Sequence, residues 1–240
     1  YGGAVADPAV GIGQRRDHLR EHDGRVTVPG FYDRVRELSP AERTDFGRAP
    51  FCEAAFCKSI GVRETAGEKG YSTMERIGVR PSLDVNGIWG GYTGEGAKTI
   101  IPSKAHAKIS MRLVPDQDYR EIGRLFAEHF RSIAPRSVRV DVEVLHGGFP
   151  YVCPTDLPAY RAAARAVERT FGRKPLPYYS GGSIPIISTF EKELGVKSVL
   201  LGFGLDRDAI HSPNESYGLE NFLRGIETIV WFYREFAAGR

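Results

Sequence analysis

Cysteine is scarce in this 240-residue chain. There are three, an odd number, and Cys52 and Cys57 are not spaced as a zinc knuckle. A disulfide framework is thereby excluded, and reduced, buried thiols of a cytoplasmic protein are expected, the first two in a short helix. An excess of charge of one sign is missing as well. The 33 basic and 30 acidic residues leave a formal net charge of +3 with both signs interspersed, which gives no electrostatic footprint for nucleic acid. No apolar run approaches the roughly 20 residues of a membrane-spanning helix. The amino terminus carries neither a basic flank nor a cleavable apolar segment. Repeats and low-complexity tracts are absent. What remains is a chain of 41% hydrophobic residues, ordinary for a soluble globular protein and long enough for one large domain or two small ones.

Periodicity divides the chain into two layouts. Asp7 to Glu21 reads as a helix started by Asp7-Pro8, although Gly11 and Gly13 weaken it. Residues 25–80, rich in Pro, Gly and charge, read as an excursion with one or two short helices and aromatic anchors at Phe31-Tyr32, Phe51 and Phe56. Leu83, Val85 and Gly87 then alternate with polar residues, as do Ala107, Ile109, Met111 and Leu113, which predicts two half-buried strands. Asp118 is placed to cap a helix whose apolar stripe is Ile122, Leu125, Phe126, Phe130 and Ile133. Val138, Val140, Val142 and Val144 alternate as a third strand. Helix, strand, strand, helix, strand is a ferredoxin-like βαββαβ layer that lacks its first strand. After a boundary near His146 to Cys153 the pattern changes. Helices are expected from an Asp156 cap to Phe171 with Gly172 to end it, from just after Gly181-Gly182-Ser183 to Leu194-Gly195, and from Leu219 to Phe236. Between the last two, Ser198 to Phe203 reads as a strand buried on both faces, as in a mostly parallel sheet.

That strand runs into Asp208-Ala209-Ile210-His211-Ser212-Pro213-Asn214-Glu215, a tight polar loop at the strand's carboxyl end, where an open α/β sheet presents ligands. A histidine there suits a metal; a lone one more often only caps or hydrogen-bonds a turn, and the wider pattern reverses that preference. The same segment, with Gly181-Gly182-Ser183-Ile184-Pro185 and Asp84-Val85-Asn86-Gly87-Ile88-Trp89-Gly90-Gly91, resembles the carnosinase-like zinc dipeptidases of the aminoacylase and carboxypeptidase G group. The resemblance runs over essentially the whole chain. It implies residues 1–147 as a lid and dimerisation domain, with the excursion, and 148–240 as the carboxyl-terminal part of an α/β zinc-peptidase catalytic domain. It also implies that the amino-terminal half of a complete enzyme precedes Tyr1.

Family positions carry over one at a time. His211 matches a ligand of one of two bridged zinc ions, whose other ligands and general base the resemblance assigns to the preceding half. Thr99, in Gly96-Ala97-Lys98-Thr99-Ile100-Ile101-Pro102, and Arg112, in Ser110-Met111-Arg112-Leu113-Val114-Pro115, match lid residues that hold the substrate's terminal carboxylate. A planar guanidinium fork suits that role; without the motif, Arg112 would read as a solvated strand residue. His146 matches a pocket histidine that polarises the scissile carbonyl or binds substrate, and reads equally as a turn residue. Ser183 matches a substrate-contacting serine and reads equally as a helix N-cap. Tyr179-Ser180 departs from the Arg-Glu usual in relatives, removing a pocket charge. His18 and His22 share a helix face at metal-binding spacing, but Arg15, Arg16 and Arg20 on that face would repel a cation. They read as surface histidines, as do His106 and His129.

The resemblance therefore implies a cytoplasmic metallopeptidase that cleaves a small peptide, or an N-acyl amino acid, with metal-activated water. It further implies homodimerisation through the lid and a chain that is inactive alone. One rival is a non-catalytic dimerisation or ligand-binding module that keeps only the lid surface; another is an acyl-amino-acid hydrolase. A nucleic-acid-binding ferredoxin-like domain would need aromatics and a basic rim on the open sheet face, which the strands do not show.

Overall fold

The computed structural model describes residue 4 and residues 6–17, 19–179 and 184–239. The chain divides into two units. The first comprises residues 1–53, 64–150 and 179–185, and the second residues 54–63, 151–178 and 186–240.

The first unit begins with α1 (Pro8–Asp17), where Asp7 accepts a hydrogen bond from the Ala9 N–H at 2.8 Å. The helix stops four residues short of the expected Glu21 because Leu19 turns into the core, 1% exposed. Arg20 leaves the helix to bind the Leu83 carbonyl and Asp84 on the neighbouring strand. His22 therefore stands exposed in a turn, and His18 lies outside the described residues.

Two strands pair as an antiparallel hairpin, β1 (Ser82–Gly90) with β2 (Ala105–Arg112). Leu83, Ile109 and Met111 turn inward onto Leu19, Val26, Val28 and Phe31, and onto Ile122 and Phe126 of α5 (Tyr119–Ser132). The expected cap of α5 forms, Asp118 accepting from the Arg120 N–H at 2.9 Å. The register slips between Val85 and Gly87. This bulge at Asn86 reverses the facing of every later residue of β1. Trp89 consequently stands opposite His106 on the outer face, their rings stacked at 5.1 Å.

The third strand expected, Val138 to Val144, is not one. These residues run without regular structure, Val142 packing on the core and Val144 on Gly123 of α5. A strand needs a neighbour to take its N–H and C=O groups. Among the described residues the hairpin is the one sheet, and these groups find no ladder.

The excursion is held from within. Helices α2 (Pro40–Phe46) and α4 (Thr73–Gly78) each begin with a Ser-x-x-Glu capping box. In α2, Glu42 accepts from the Ser39 N–H at 2.8 Å while the Ser39 hydroxyl accepts from the Glu42 N–H at 3.3 Å. Arg43 joins the two helices, 3.4 Å from Glu75. Beyond α4, Arg80 is 4% exposed and grips Glu68 with two hydrogen bonds of 2.8 and 2.9 Å. A third reaches Glu37 at 2.9 Å. The Arg80 guanidinium lies 4.2 Å from the Tyr71 ring centre and 5.2 Å from that of Tyr32. Burial disfavours the charge, but the bonds and charge of Glu68 outweigh it and raise the Arg80 pKa. Tyr71, desolvated and donating to Glu37, is pushed up to about 12.

The second unit pairs α6 (Pro158–Phe171) with α8 (Leu219–Ala238), and contains most of α3 (Glu53–Ile60) and α7 (Ile186–Leu194). Small residues let α6 be approached closely: Ala162, Ala163 and Ala166 are buried. Its cap is Leu157 followed by Pro158, not Asp156, and Gly172 ends it with a φ of 70°. Ser198 to Phe203 forms no ladder among the described residues, and Leu200 is 54% exposed. Side chains replace strand partners at its ends. The Tyr151 hydroxyl accepts from the Ser198 N–H at 2.9 Å and donates to the Ser198 carbonyl at 2.8 Å. Asn221 donates to the Phe203 carbonyl at 3.0 Å. Cys57 is buried and Cys153 half-buried, but Cys52 is exposed, just ahead of α3 rather than in it. No helix among the described residues is long and apolar enough to cross a membrane.

The excursion's electrostatics can be tested at two carboxylates. Glu68→Ala strands a buried cation and is expected to destabilise the protein by about 3–5 kcal/mol, whereas Glu68→Leu with Arg80→Met recovers most of the loss. Urea unfolding of the wild type and the two variants measures both effects. Glu42 is held down from 4.5 to about 2, first by the Ser39 N–H and then by Arg36 and the Ser39 hydroxyl. A depressed carboxylate stabilises the fold above its unfolded pKa and loses that contribution as pH falls through the folded one. The gap in melting temperature between wild type and Glu42→Gln is therefore expected to be full above pH 4.5 and to close towards pH 2.

Candidate functional site

His211 sits at the tip of a loop built to hold an unfavourable backbone. Asp208, 4% exposed, accepts from the Leu205 N–H at 2.7 Å, and its own N–H returns to the Leu205 carbonyl at 2.9 Å. The Ser216 N–H closes on the Asp208 carbonyl at 2.9 Å, so residues 208–216 form a pinched loop. Within it Ala209, His211 and Asn214 have φ of 52°, 63° and 63°. Left-handed backbone is uncommon for side-chain-bearing residues, and runs of it occur where surrounding structure over-determines the chain. The imidazole is presented to solvent.

Arg112 and Thr99 belong to the hairpin of the first unit. Arg112 ends β2, opposite Ser82, on the exposed face it shares with His106, Lys108 and Ser110. Thr99 is exposed in the connection that follows Gly90 and precedes Ala105. Seven residue steps of β2 separate Ala105 from Arg112, about 23 Å at strand spacing. Thus the ladder does not itself bring the two side chains together.

His146 is exposed ahead of two glycines whose lack of a side chain is structural. A Cβ on Gly147 would fall 2.3 Å from the Tyr119 ring, and one on Gly148 would fall 2.4 Å from Pro185. The His146 segment is therefore seated on Tyr119 and on Pro185. Ser183 itself lies outside the described residues. Pro185, at the far end of the Gly181-Gly182-Ser183-Ile184-Pro185 motif, and Tyr179, ahead of it, both belong to the first unit. His211 belongs to the second.

These side chains do not make a metal centre on their own. Among the described residues no group of three His, Cys, Asp or Glu is arranged to hold a metal ion, and Asp208 beside His211 spends its carboxylate on the Leu205 N–H. A single imidazole cannot fix the coordination of a catalytic ion. Of the other histidines, His106 is engaged with Trp89. His129 is half-buried on α5 rather than a surface residue, its Nε2 shielded and without a hydrogen-bond partner. Sequence reasoning missed the seats at Gly147 and Gly148, for which the adjacent glycines were the available signal.

Known proteins match the chain in sequence and in fold. The family model described as Peptidase family M20/M25/M40 matches residues 15–235. The Cys-Gly metallodipeptidase dug1 of Schizosaccharomyces pombe is 31% identical over 242 residues, covering 99% of this chain and 51% of that protein. In structure, the di-peptidase Dug1p of Saccharomyces cerevisiae superposes with a TM-score of 0.86 at 28% identity, over 99% of this chain and 50% of its own. Human carnosine dipeptidase 1 gives 0.85 at 27%, over 99% and 51%. The chain thus spans about half the length of the relatives it matches. With a family match over nearly its full length, and a mixed α/β fold to go with it, the chain belongs to Peptidase family M20/M25/M40.

Proposed function

We propose that this chain is the lid and the carboxyl-terminal part of the catalytic domain of a zinc-dependent dipeptidase that is cytoplasmic and dimerises through the lid. The observation that carries the reading is the family match across residues 15–235; relatives that include a Cys-Gly metallodipeptidase and a Beta-Ala-His dipeptidase give the substrate class. Membership in this family implies a metal cofactor. The described residues fall short of a metal site, so His211 is assigned as one donor, with the remaining ligands on the part of the fold this chain does not span.

In this reading Arg112 and Thr99 hold the substrate's free carboxylate. Arg112 brings a permanent positive charge and paired donors to a partly solvated strand face, which favours a carboxylate over a neutral amide terminus. Because Arg112 stands far along β2 from the hairpin connection, the two act together through folding of that connection or across a dimer. His146 orients or polarises the scissile carbonyl. Its tight glycine seat on Tyr119 and Pro185 holds that segment in place, and Ser183 is assigned to contact substrate.

Two outcomes are expected. This chain alone should bind less than stoichiometric zinc and hydrolyse neither Cys-Gly nor β-Ala-His, whereas a polypeptide that adds the unspanned half of the fold should do both. Metal analysis and dipeptide turnover decide it, and turnover restricted to N-acetyl amino acids would replace the dipeptidase by an acylase. In the longer protein, Arg112→Lys should raise KM for a free-carboxylate dipeptide roughly tenfold, on the order of 1.4 kcal/mol, and leave an amidated substrate unaffected. Equal KM values for the wild type and the Arg112→Lys variant would remove Arg112 from the clamp.

A further inference from the structure

The segment that leads into Gly181-Gly182-Ser183 is anchored by a part of the chain remote in sequence. Tyr179 stacks its ring on Phe46 of α2, centroids 5.5 Å apart and planes inclined by 15°. Both residues meet at Gly78, the last residue of α4. A Cβ there would lie 2.6 Å from the Tyr179 carbonyl oxygen, 3.2 Å from the Tyr179 Cβ and 3.3 Å from the Phe46 ring. Gly78 is buried, and its missing side chain is what lets the three elements close.

The seat is stiff for identifiable reasons. Phe46 is one helical turn beyond Glu42, the residue that closes the α2 capping box and pairs with Arg36 at 2.8 Å. Arg43, between them, ties α2 to Glu75 of α4 and donates to the Gly70 carbonyl at 3.2 Å. Two residues past Gly78 stands Arg80, locked by Glu68 and Glu37. A side chain stacked on this platform is held by backbone and buried charge, not by surface contact alone.

We propose that Tyr179 is a positioning residue: seated on Phe46 and Gly78, it fixes where the chain enters the Gly181-Gly182-Ser183 motif, as Gly148 against Pro185 fixes where it leaves. The excursion of residues 25–80 is then a brace for substrate binding rather than an insertion without role. The Tyr179 phenol hydroxyl is dispensable for this and its ring is not. The consequence for catalysis rests on the dipeptidase reading above; the seat itself does not.

The test has two arms. In hydrogen exchange on this chain, Phe46→Ala, Gly78→Ala and Tyr179→Ala should each speed exchange of amides in residues 176–186 about tenfold while α5 keeps its wild-type protection, and Tyr179→Phe should match wild type. In the longer protein the same three changes should raise KM for a dipeptide about five- to tenfold with kcat changed less than about twofold, Tyr179→Phe again rescuing. Unchanged exchange in residues 176–186, a rise shared equally by α5, or failure of Tyr179→Phe to rescue would overturn the proposal. If the wild-type longer protein hydrolyses no dipeptide, the dipeptidase reading falls and the exchange arm alone decides the seat.

Discussion

The first unit depends on one buried ion pair. Residues 25–80 send Val26, Val28 and Phe31 into the core, but beyond Phe31 the buried apolar side chains among the described residues are Cys57 and Val79, too few for a core of their own. Arg80 supplies what the core does not. Its fork fixes Glu68 in two directions, its third bond collects Glu37, and its flat faces are bracketed by Tyr71 and Tyr32. Segments 12 and 43 residues apart in sequence are thereby brought to one point. Such a pair is a costly way to gain stability and an effective way to specify a single arrangement, because a shifted excursion would leave a charge buried without partners. Ahead of it in sequence lies Gly78, so the same pair sets the floor on which Tyr179 rests.

The hairpin passes the constraint on. Leu83, three residues after Arg80, is 2% exposed and lies on Leu19, Val26 and Phe31. Arg20 ties the end of the first helical segment to the same strand. Gln117 then bridges the core from the other side, accepting from the Val114 N–H at 2.9 Å and donating to the Phe31 carbonyl at 2.7 Å. Each step uses a polar group with its bonds satisfied, which makes the arrangement unique rather than merely compact.

Local signals were legible where the structure is local. The apolar stripe and Asp118 cap gave α5, Gly172 and Gly195 marked the ends of α6 and α7, and alternation gave the hairpin. The Ser-x-x-Glu boxes at Ser39 and Ser72 were overlooked although their signal is local, and they turn a loosely drawn excursion into two defined helices. Alternation misled at Val138–Val144, and an unbroken apolar run at Ser198–Phe203, because a pattern says which residues are apolar but not whether a neighbour is there to take the backbone hydrogen bonds. The Arg80 cluster was illegible, since its members come together only through folding. For the proposed site, the motifs nominated His211, Arg112, Thr99 and His146. The pinched backbone around His211 and the glycine seats behind His146 and Tyr179 required coordinates, because close approach depends on atoms that are missing.

The bulge at Asn86 gives one strand two loyalties. Up to Val85 the residues of β1 answer to the core, and any change there must fit Met111 and Ile109. Past the bulge, parity is reset, and Trp89 faces outward beside His106 and Lys108. The distal half of the hairpin is therefore insulated from the packing demands of its own base. Its outer side chains are open to selection by whatever they meet, while the register that holds the molecule together stays fixed a few residues away.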